Sequence, residues 1–448
     1  MKNILIAIRS IFKKGRHNVM KIVSLGIGLA VGLVLIAKVY FEQSYDDFYP
    51  DRDRVYQVWA KYQQNGGELK DYPQTSGGIA PTMQQQIPEI ETVTRYTSFG
   101  DWTFTMTDTK MKYSGRCIIA DSCFFDILPR PMLIGNAKEV LSTPMYVLVS
   151  SRIAKNIGGD VIGKNFTVDN SPGRTMTIGG VFEEVPENSH SRYDVIVSMA
   201  SAGRFMWEGS PTNMLGNDRY VSYVKLHKGA NPLALEEQVR TFVNSYFPPE
   251  EQQKVGLSID FSFHKLDNLH KELPQVKRMT WILSLLAFAL IFTAVMNYIL
   301  IVISSIVNRS KEVAVHKCYG ASENNIHGMM FGEALVHIVL SLILALLLIL
   351  AFRGTVEELL ATSLDSLLLS NGSLVLLGIC ILVFFVSGFM PGSLYARIPV
   401  ASAFRNYREN KRIWKKALLL VQFVATGFLV TMLVFVARQY TFMVNDRP

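Results

Sequence analysis

The stretch MTWILSLLAFALIFTAVMNYILIVISSIVN, Met279–Asn308, holds no charged side chain, and RSKEVAVHKCYGASENNIHGMMFGE, Arg309–Glu333, follows it at once. About 20 apolar residues in a helix cross ~30 Å of hydrocarbon, so the first stretch reads as a membrane span. The second reads as a short charged helix that ends at Gly320, a suitable C-terminal glycine. Ser322 then N-caps a new helix that runs through Ile326, Met329 and Met330 back toward the membrane. Span, hook and return span together set the class of the molecule.

Four more charge-free runs lie around this pair: Ile22–Ala37, Ala334–Phe352, Ser366–Ala396 and Ala417–Ala437. The first continues through Lys38 to Phe41, with Lys38 expected to snorkel to the interface. No small-x-small cleavage site follows it, so an anchor rather than a removable signal is expected. Five spans result. Composition agrees: of 448 residues 49% are hydrophobic and 18% charged, and mean hydropathy is +0.21. Those values argue against disorder and against an ordinary soluble protein.

The net charge of +8 needs a location before it carries meaning. Residues 1–21 carry six basic residues and no acid, and residues 397–416 carry seven against Glu409. Residues 309–332 carry Arg309, Lys311 and Lys317 against Glu312 and Glu323, whereas 353–365 has Arg353 against three carboxylates. Basic segments thus alternate across successive spans, and the positive-inside rule places the N-terminus in the cytoplasm. Residues 42–278 fall outside, with 25 basic and 29 acidic residues. The excess charge therefore flanks the membrane, and nucleic acid loses its support as a partner.

The expected fold is an α-helical integral membrane protein of five spans, with a large extracytoplasmic α+β domain inserted between spans 1 and 2. In order, the chain reads as a cytoplasmic amphipathic helix (1–21), span 1 (22–41), the outer domain (42–278), span 2 (279–307) and a cytoplasmic hook (308–328), physically either a solvated turn or a docking handle. There follow span 3 (329–352), a short outer loop (353–371), span 4 (372–395), a basic cytoplasmic loop (396–416), span 5 (417–437) and an outer tail (438–448). At the N-terminus, Ile4, Leu5, Ile8, Ile11 and Phe12 share one helical face, either as a surface anchor or as a lever on a cytoplasmic partner.

In the outer region Val55–Tyr62, Thr92–Phe99, Trp102–Met106 and Thr175–Val181 have strand composition. Ser151–Ile157 and Pro232–Tyr246 read as helices, the second capped by Asn231. Gly158–Asn165 approaches a phosphate-binding G-x4-G-K-[ST] loop, but Asn165 replaces the magnesium-binding hydroxyl, so a helix-to-strand turn is expected. The eight histidines show no i, i+4 metal pair around a glutamate. Cys117 and Cys123 face the oxidising side, where a disulfide is one option. Glu333, at the inner end of span 3, is either interfacial or bonded to another helix, because an intramembrane carboxylate costs about 2.5–3.5 kcal/mol. Asn297, within span 2, raises the same question. No catalytic constellation, metal site or cofactor site emerges.

At this point the residues resemble a known family. Asn297, Arg309, Lys311-Glu312-Val313, Lys317, Gly320-Ala321-Ser322 and Glu333 are similar to the signature of FtsX-like permeases in ABC transporters of the MacB class. Glu42–Trp59, Asp121–Gly135 and Ser150–Tyr193, with GVFEEVPENSH and RYD, resemble the MacB-like periplasmic core domain of Bacteroidetes-type permeases. The resemblance implies a non-catalytic subunit of the bacterial inner (cytoplasmic) membrane. Its hook would dock on a separate cytoplasmic ATPase that binds ATP and magnesium, and motion would pass to the outer domain by mechanotransmission. It also implies a homodimer or a second permease half, contact with membrane lipids, and a periplasmic or outer-membrane partner. Lys411–Asp446 looks like a second copy of Lys14–Asp47, as in a split double-length permease or a half-transporter with an extra span. The competing expectation is a membrane-anchored sensor or scaffold without ATP-driven work. The substrate of export, efflux or extraction is not specified by any residue.

Overall fold

The computed structural model describes residues 17–169, 173–216, 218–230, 232–368, 372–396, 400 and 413–445. The amphipathic segment 2–14, the cap Asn231 and most of the basic loop lie outside them. The chain forms two compact units: Met1–Gln43 with Pro274–Pro448, and Ser44–Leu273.

Helix α1 (Asn18–Gln43) belongs to the first unit. The second unit is α+β, as its mixed pattern predicts. Its elements begin with β1 (Val55–Gln64), β2 (Lys70–Tyr72), α2 (Ile79–Gln86), β3 (Ile90–Met106) and β4 (Lys112–Ala120). They continue with β5 (Met132–Ile134), β6 (Tyr146–Ser150), α3 (Ser151–Ile157), β7 (Asn165–Val168), β8 (Thr175–Phe182) and β9 (Val195–Ser198). The last are β10 (Tyr220–Leu226), α4 (Pro232–Tyr246) and β11 (Leu257–Lys265). All the strands join one sheet of order β11-β1-β10-β3-β4-β9-β6-β8-β5, with β2 on β1 and β7 between β3 and β8.

The centre of this sheet is buried on both faces. Successive side chains of a strand point to opposite faces. Cys117 and Ile119 of β4, Val195 and Val197 of β9, and Val147 and Val149 of β6 enter one core. Ile118, Ile196 and Leu148, their alternates, enter the other with Phe124 and Phe182. Pairing is parallel between β4 and β9 and between β6 and β8, which suits strands covered on both sides. A third core packs Met83 of α2 and Val239 and Phe242 of α4 against Val58, Val93 and Val224. The expected strands Thr92–Phe99 and Trp102–Met106 are one strand, β3. Its register on β4 shifts between Ser98 and Asp101 where Gly100 takes φ +75°, a bulge that mimics a break in the sequence pattern.

The first unit continues with α5 (Pro274–Ser304), α6 (Ile306–Cys318), α7 (Glu323–Ala351), α8 (Arg353–Leu360), α9 (Ser373–Ala396) and α10 (Ile413–Asn445). Among the described residues four helices are long and apolar enough to cross a membrane: α1, α5, α7 and, within α9, Ser373–Tyr395. Helix α10 carries a shorter apolar stretch, Leu419–Met432. Helices α5 and α7 begin five and six residues before the predicted spans, because a charge ends an apolar run without ending a helix. The predicted outer loop 353–371 is largely helical, with α8 and a turn at Leu364–Leu368.

Helix α1 packs closely because it is lined with glycine. A Cβ added to Gly28 would lie 2.2 Å from Ala294 Cβ, and one added to Gly32 would lie 2.4 Å from Ile291. The pair is a small-xxx-small face that lets two membrane helices approach. Gly28→Ala is expected to destabilise the unit by overpacking, by about 1–3 kcal/mol. Gly427→Ala, whose added Cβ meets nothing within 4 Å, should leave the melting temperature in detergent unchanged or slightly raised.

Lys38 does not snorkel. It is buried, with Nζ 2.7 Å from Glu42 Oε1 and donating to Thr362 Oγ1 at 2.7 Å. The hydroxyl and carboxylate satisfy the ammonium inside the protein, so it need not reach water.

Candidate functional site

The hook begins where α5 breaks. The Ser304 and Ser305 hydroxyls donate to the carbonyls of Ile301 and Val302, a competition with the helical ladder that favours a bend. Tyr395 OH also donates to Val302 O at 3.2 Å and lies 3.1 Å from Ser305 Oγ. Helix α6 then buries Val313 and Ala314 in the core of the unit. Its other face presents Lys311 and His316 to solvent, with Glu312 and Lys317 half-buried.

Gly320 closes α6 at φ +86°. Its N–H donates to Lys317 O, and the Ala321 N–H reaches back to His316 O, each at 3.0 Å. That pair of bonds is a Schellman cap, which needs a left-handed residue and satisfies carbonyls that the helix end leaves over. Ser322 takes extended geometry, and its side chain accepts from Asn325 N–H, starting α7. The expected glycine stop and serine start are both present. The sequence reading missed Tyr319, 88% exposed, and Val315, 43% exposed. An aromatic beside a terminal glycine was the available signal.

The polar residues of the spans meet partners on neighbouring helices. Glu333 is buried, and its Oε1 lies 3.5 Å from Nζ of the fully buried Lys21 on α1. Glu333 therefore contacts a neighbouring helix. The Lys21 ammonium also donates to Asn18 Oδ1 at 3.3 Å. One turn beyond Glu333, the buried His337 places Nδ1 3.2 Å from Tyr298 OH on α5. Asn297 Oδ1 accepts from Gln422 Nε2 of α10 at 2.5 Å. Arg309 lies on α6, and only its backbone is described.

Gly158–Asn165 connects the end of α3 to β7, with Gly158, Gly159 and Gly163 at positive φ. The expected turn from helix to strand is observed, and this order reverses the strand–loop–helix of a phosphate-binding loop. Cys117 and Cys123 are free thiols, and burial pushes both above the ordinary thiol range. Among the described residues no group of three His, Cys, Asp or Glu could hold a metal ion.

One polar cluster of the α+β unit was not anticipated. Asp46 is fully buried at φ +60°. It accepts from Ser189 Oγ at 3.0 Å and His190 N at 3.3 Å, and its Oδ2 lies 2.7 Å from His190 Nδ1. Asn188 Nδ2 donates to Ser44 O at 2.6 Å, and Asp46 N–H donates to Asn188 O at 2.9 Å. Nearby, Tyr45 stacks on His270 at 3.4 Å, and Lys271 bridges Asp47 and Asp267. The first and last residues of the unit are thereby held by its own side chains.

Four membrane-length helices among the described residues, a capped hook and an α+β unit inserted after the first helix are the architecture of a multi-pass membrane protein. Residues 284–400 match the FtsX-like permease C-terminal family. A domain of a protein assigned as a permease from Porphyromonas gingivalis is 32% identical, with a TM-score of 0.45, over 48% of this chain and 91% of that one. The extracellular domain of the noncanonic ABC-type transporter YknZ from Gram-positive bacteria is 10% identical, with a TM-score of 0.33, over 46% and 98%. No curated protein matches. The chain thus carries an FtsX-like permease C-terminal domain.

Proposed function

We propose that this chain is the non-catalytic permease subunit of an ABC system in the bacterial inner membrane. The observation that carries the reading is the hook: a capped helix with a buried inner face and an outer face offering Lys311, Val315 and Tyr319. Such a face fits a partner groove that takes an amphipathic helix. The partner is a cytoplasmic ATPase that supplies ATP and magnesium, with Lys311, Glu312, Lys317 and the side chain of Arg309 as polar contacts. Gly320, Ala321 and Ser322 set the turn that returns the chain to α7. Dimerisation of the ATPases, in a homodimer or with a second permease half, would move α5 and α7 and pass motion through α1 and α5 to the α+β unit.

In this reading α10 is a fifth span, joined to α5 through Asn297 and Gln422, and the N-terminus faces the cytoplasm. Cysteine labelling of intact cells is expected at Gly229 and not at Ser402. The reverse pattern would place the hook on the wrong side for an ATPase.

The coupling test uses two variants. Lys311→Glu with Glu312→Lys should weaken pull-down of the ATPase or uncouple its turnover in reconstituted membranes, with insertion unchanged. Gly320→Val forces a β-branched residue to φ > 0 and should act alike. If both variants bind and couple as the parent does, the hook is a solvated turn and a sensor or scaffold becomes the better reading.

A further inference from the structure

The cluster around Asp46 opens onto a cavity of about 290 Å3 lined by Tyr96, Asp101, Arg116, His190, Ser191 and Arg192, among others. Its floor is a fixed hydrogen-bond chain. Burial raises the Tyr96 and Tyr223 phenols, which stay protonated. Tyr223 OH contacts His190 Nε2, and Asp46 Oδ2 faces His190 Nδ1. Ser191 Oγ sits 3.0 Å from the same Nε2 and 2.8 Å from Tyr96 OH.

The rim is cationic. Arg116 and Arg192 are exposed, and the lining includes one carboxylate, Asp101, which is 3.9 Å from Arg116 and 77% exposed. Arg192 donates to the backbone oxygen of Glu187, a neutral acceptor that leaves the guanidinium charge in place. Guanidinium pairs match the planar, bidentate acceptors of carboxylates and phosphates. An adjoining cavity of about 250 Å3 shares Arg116, Arg192 and Tyr193, with Arg152 there committed to Asp194 at 2.6 Å and Glu184 at 3.4 Å. The first cavity is at the small end of the ~300–1,000 Å3 of ligand sites, so it suits a small group and the second could take what the group is attached to.

We propose that the α+β unit binds a small oxyanion, a carboxylate or a phosphate monoester, between Arg116 and Arg192 against His190 and Ser191. The same His190 is bonded to Asp46, three residues beyond the end of α1. Occupancy of the cavity is therefore read by the segment that leaves α1, a consequence that rests on the permease reading above.

The test uses the full chain in detergent without any ATPase, so it stands or fails apart from the ABC assignment. Succinate and phenyl phosphate are titrated calorimetrically, with succinamide as the neutral control. Saturable binding of at least one anion is expected, and which one binds identifies the group. Arg116→Gln with Arg192→Gln, both on the surface, should weaken it about tenfold or more at an unchanged melting temperature. Bound anion should also slow hydrogen exchange at Ser44–Asp47. No saturation by either anion in the ~10 mM range, equal binding of succinamide, or full affinity in the double variant overturns the site. Unchanged exchange at Ser44–Asp47 overturns its link to α1.

Discussion

Glu333→Ala is expected to destabilise the helical unit by roughly 3–5 kcal/mol, because it leaves the buried Lys21 ammonium without its carboxylate. Nζ and Oε1 are 3.5 Å apart, and the two side chains are 0% and 8% exposed. Lys21→Met should cost a similar amount for the mirrored reason. The double variant Lys21→Met with Glu333→Leu should recover most of the loss, since an apolar pair of similar volume replaces a buried ion pair at little net cost. Melting of the four proteins in one detergent gives the cycle directly, and a coupling near zero would mean that the pair does not hold α1 to α7. The same cycle run on ATPase turnover asks whether the pair also serves transmission.

Asp46→Ala should be the most damaging single change in the α+β unit. It removes a buried acceptor of three hydrogen bonds, each worth about 1.5–3 kcal/mol when one partner is charged. It also places alanine at φ +60°, a region that aspartate and asparagine tolerate better. Asp46→Asn keeps that backbone and one acceptor oxygen, so its cost should be smaller. Hydrogen exchange across Asn188–Ser191 reads the effect locally. Protection equal to the parent's in Asp46→Ala would show that the loop is held by packing and not by this carboxylate.

The helical unit was largely readable because lipid demands long apolar runs and flanking charges, both carried in one dimension. Gly320 and Ser322 were readable for a related reason: a helix end must satisfy its own backbone, and few residue types can do it. The sheet was not. The VLV of β6 and the VIV of β9 are short apolar runs without alternation, which fit a buried strand or a piece of buried helix equally well. The bulge at Gly100 divided one strand into two apparent ones.

The side-chain partners were hidden for another reason. Lys21 and Glu333 are separated by most of the chain, and Asp46 and His190 by 144 residues, and nothing local to either residue names the other. Lys38 had a sensible local solution, to snorkel, that the fold replaced with Glu42 and Thr362. The sequence by itself determined four of the segments apolar enough for a membrane, where the hook turns and that an α+β unit interrupts the helices, because those properties follow from local composition and backbone geometry; the fifth expected span, 417–437, meets that length only in part. Only the tertiary structure decided which charges are buried and against what, because burying a charge is tolerable only where packing brings a distant counter-group within a few ångströms.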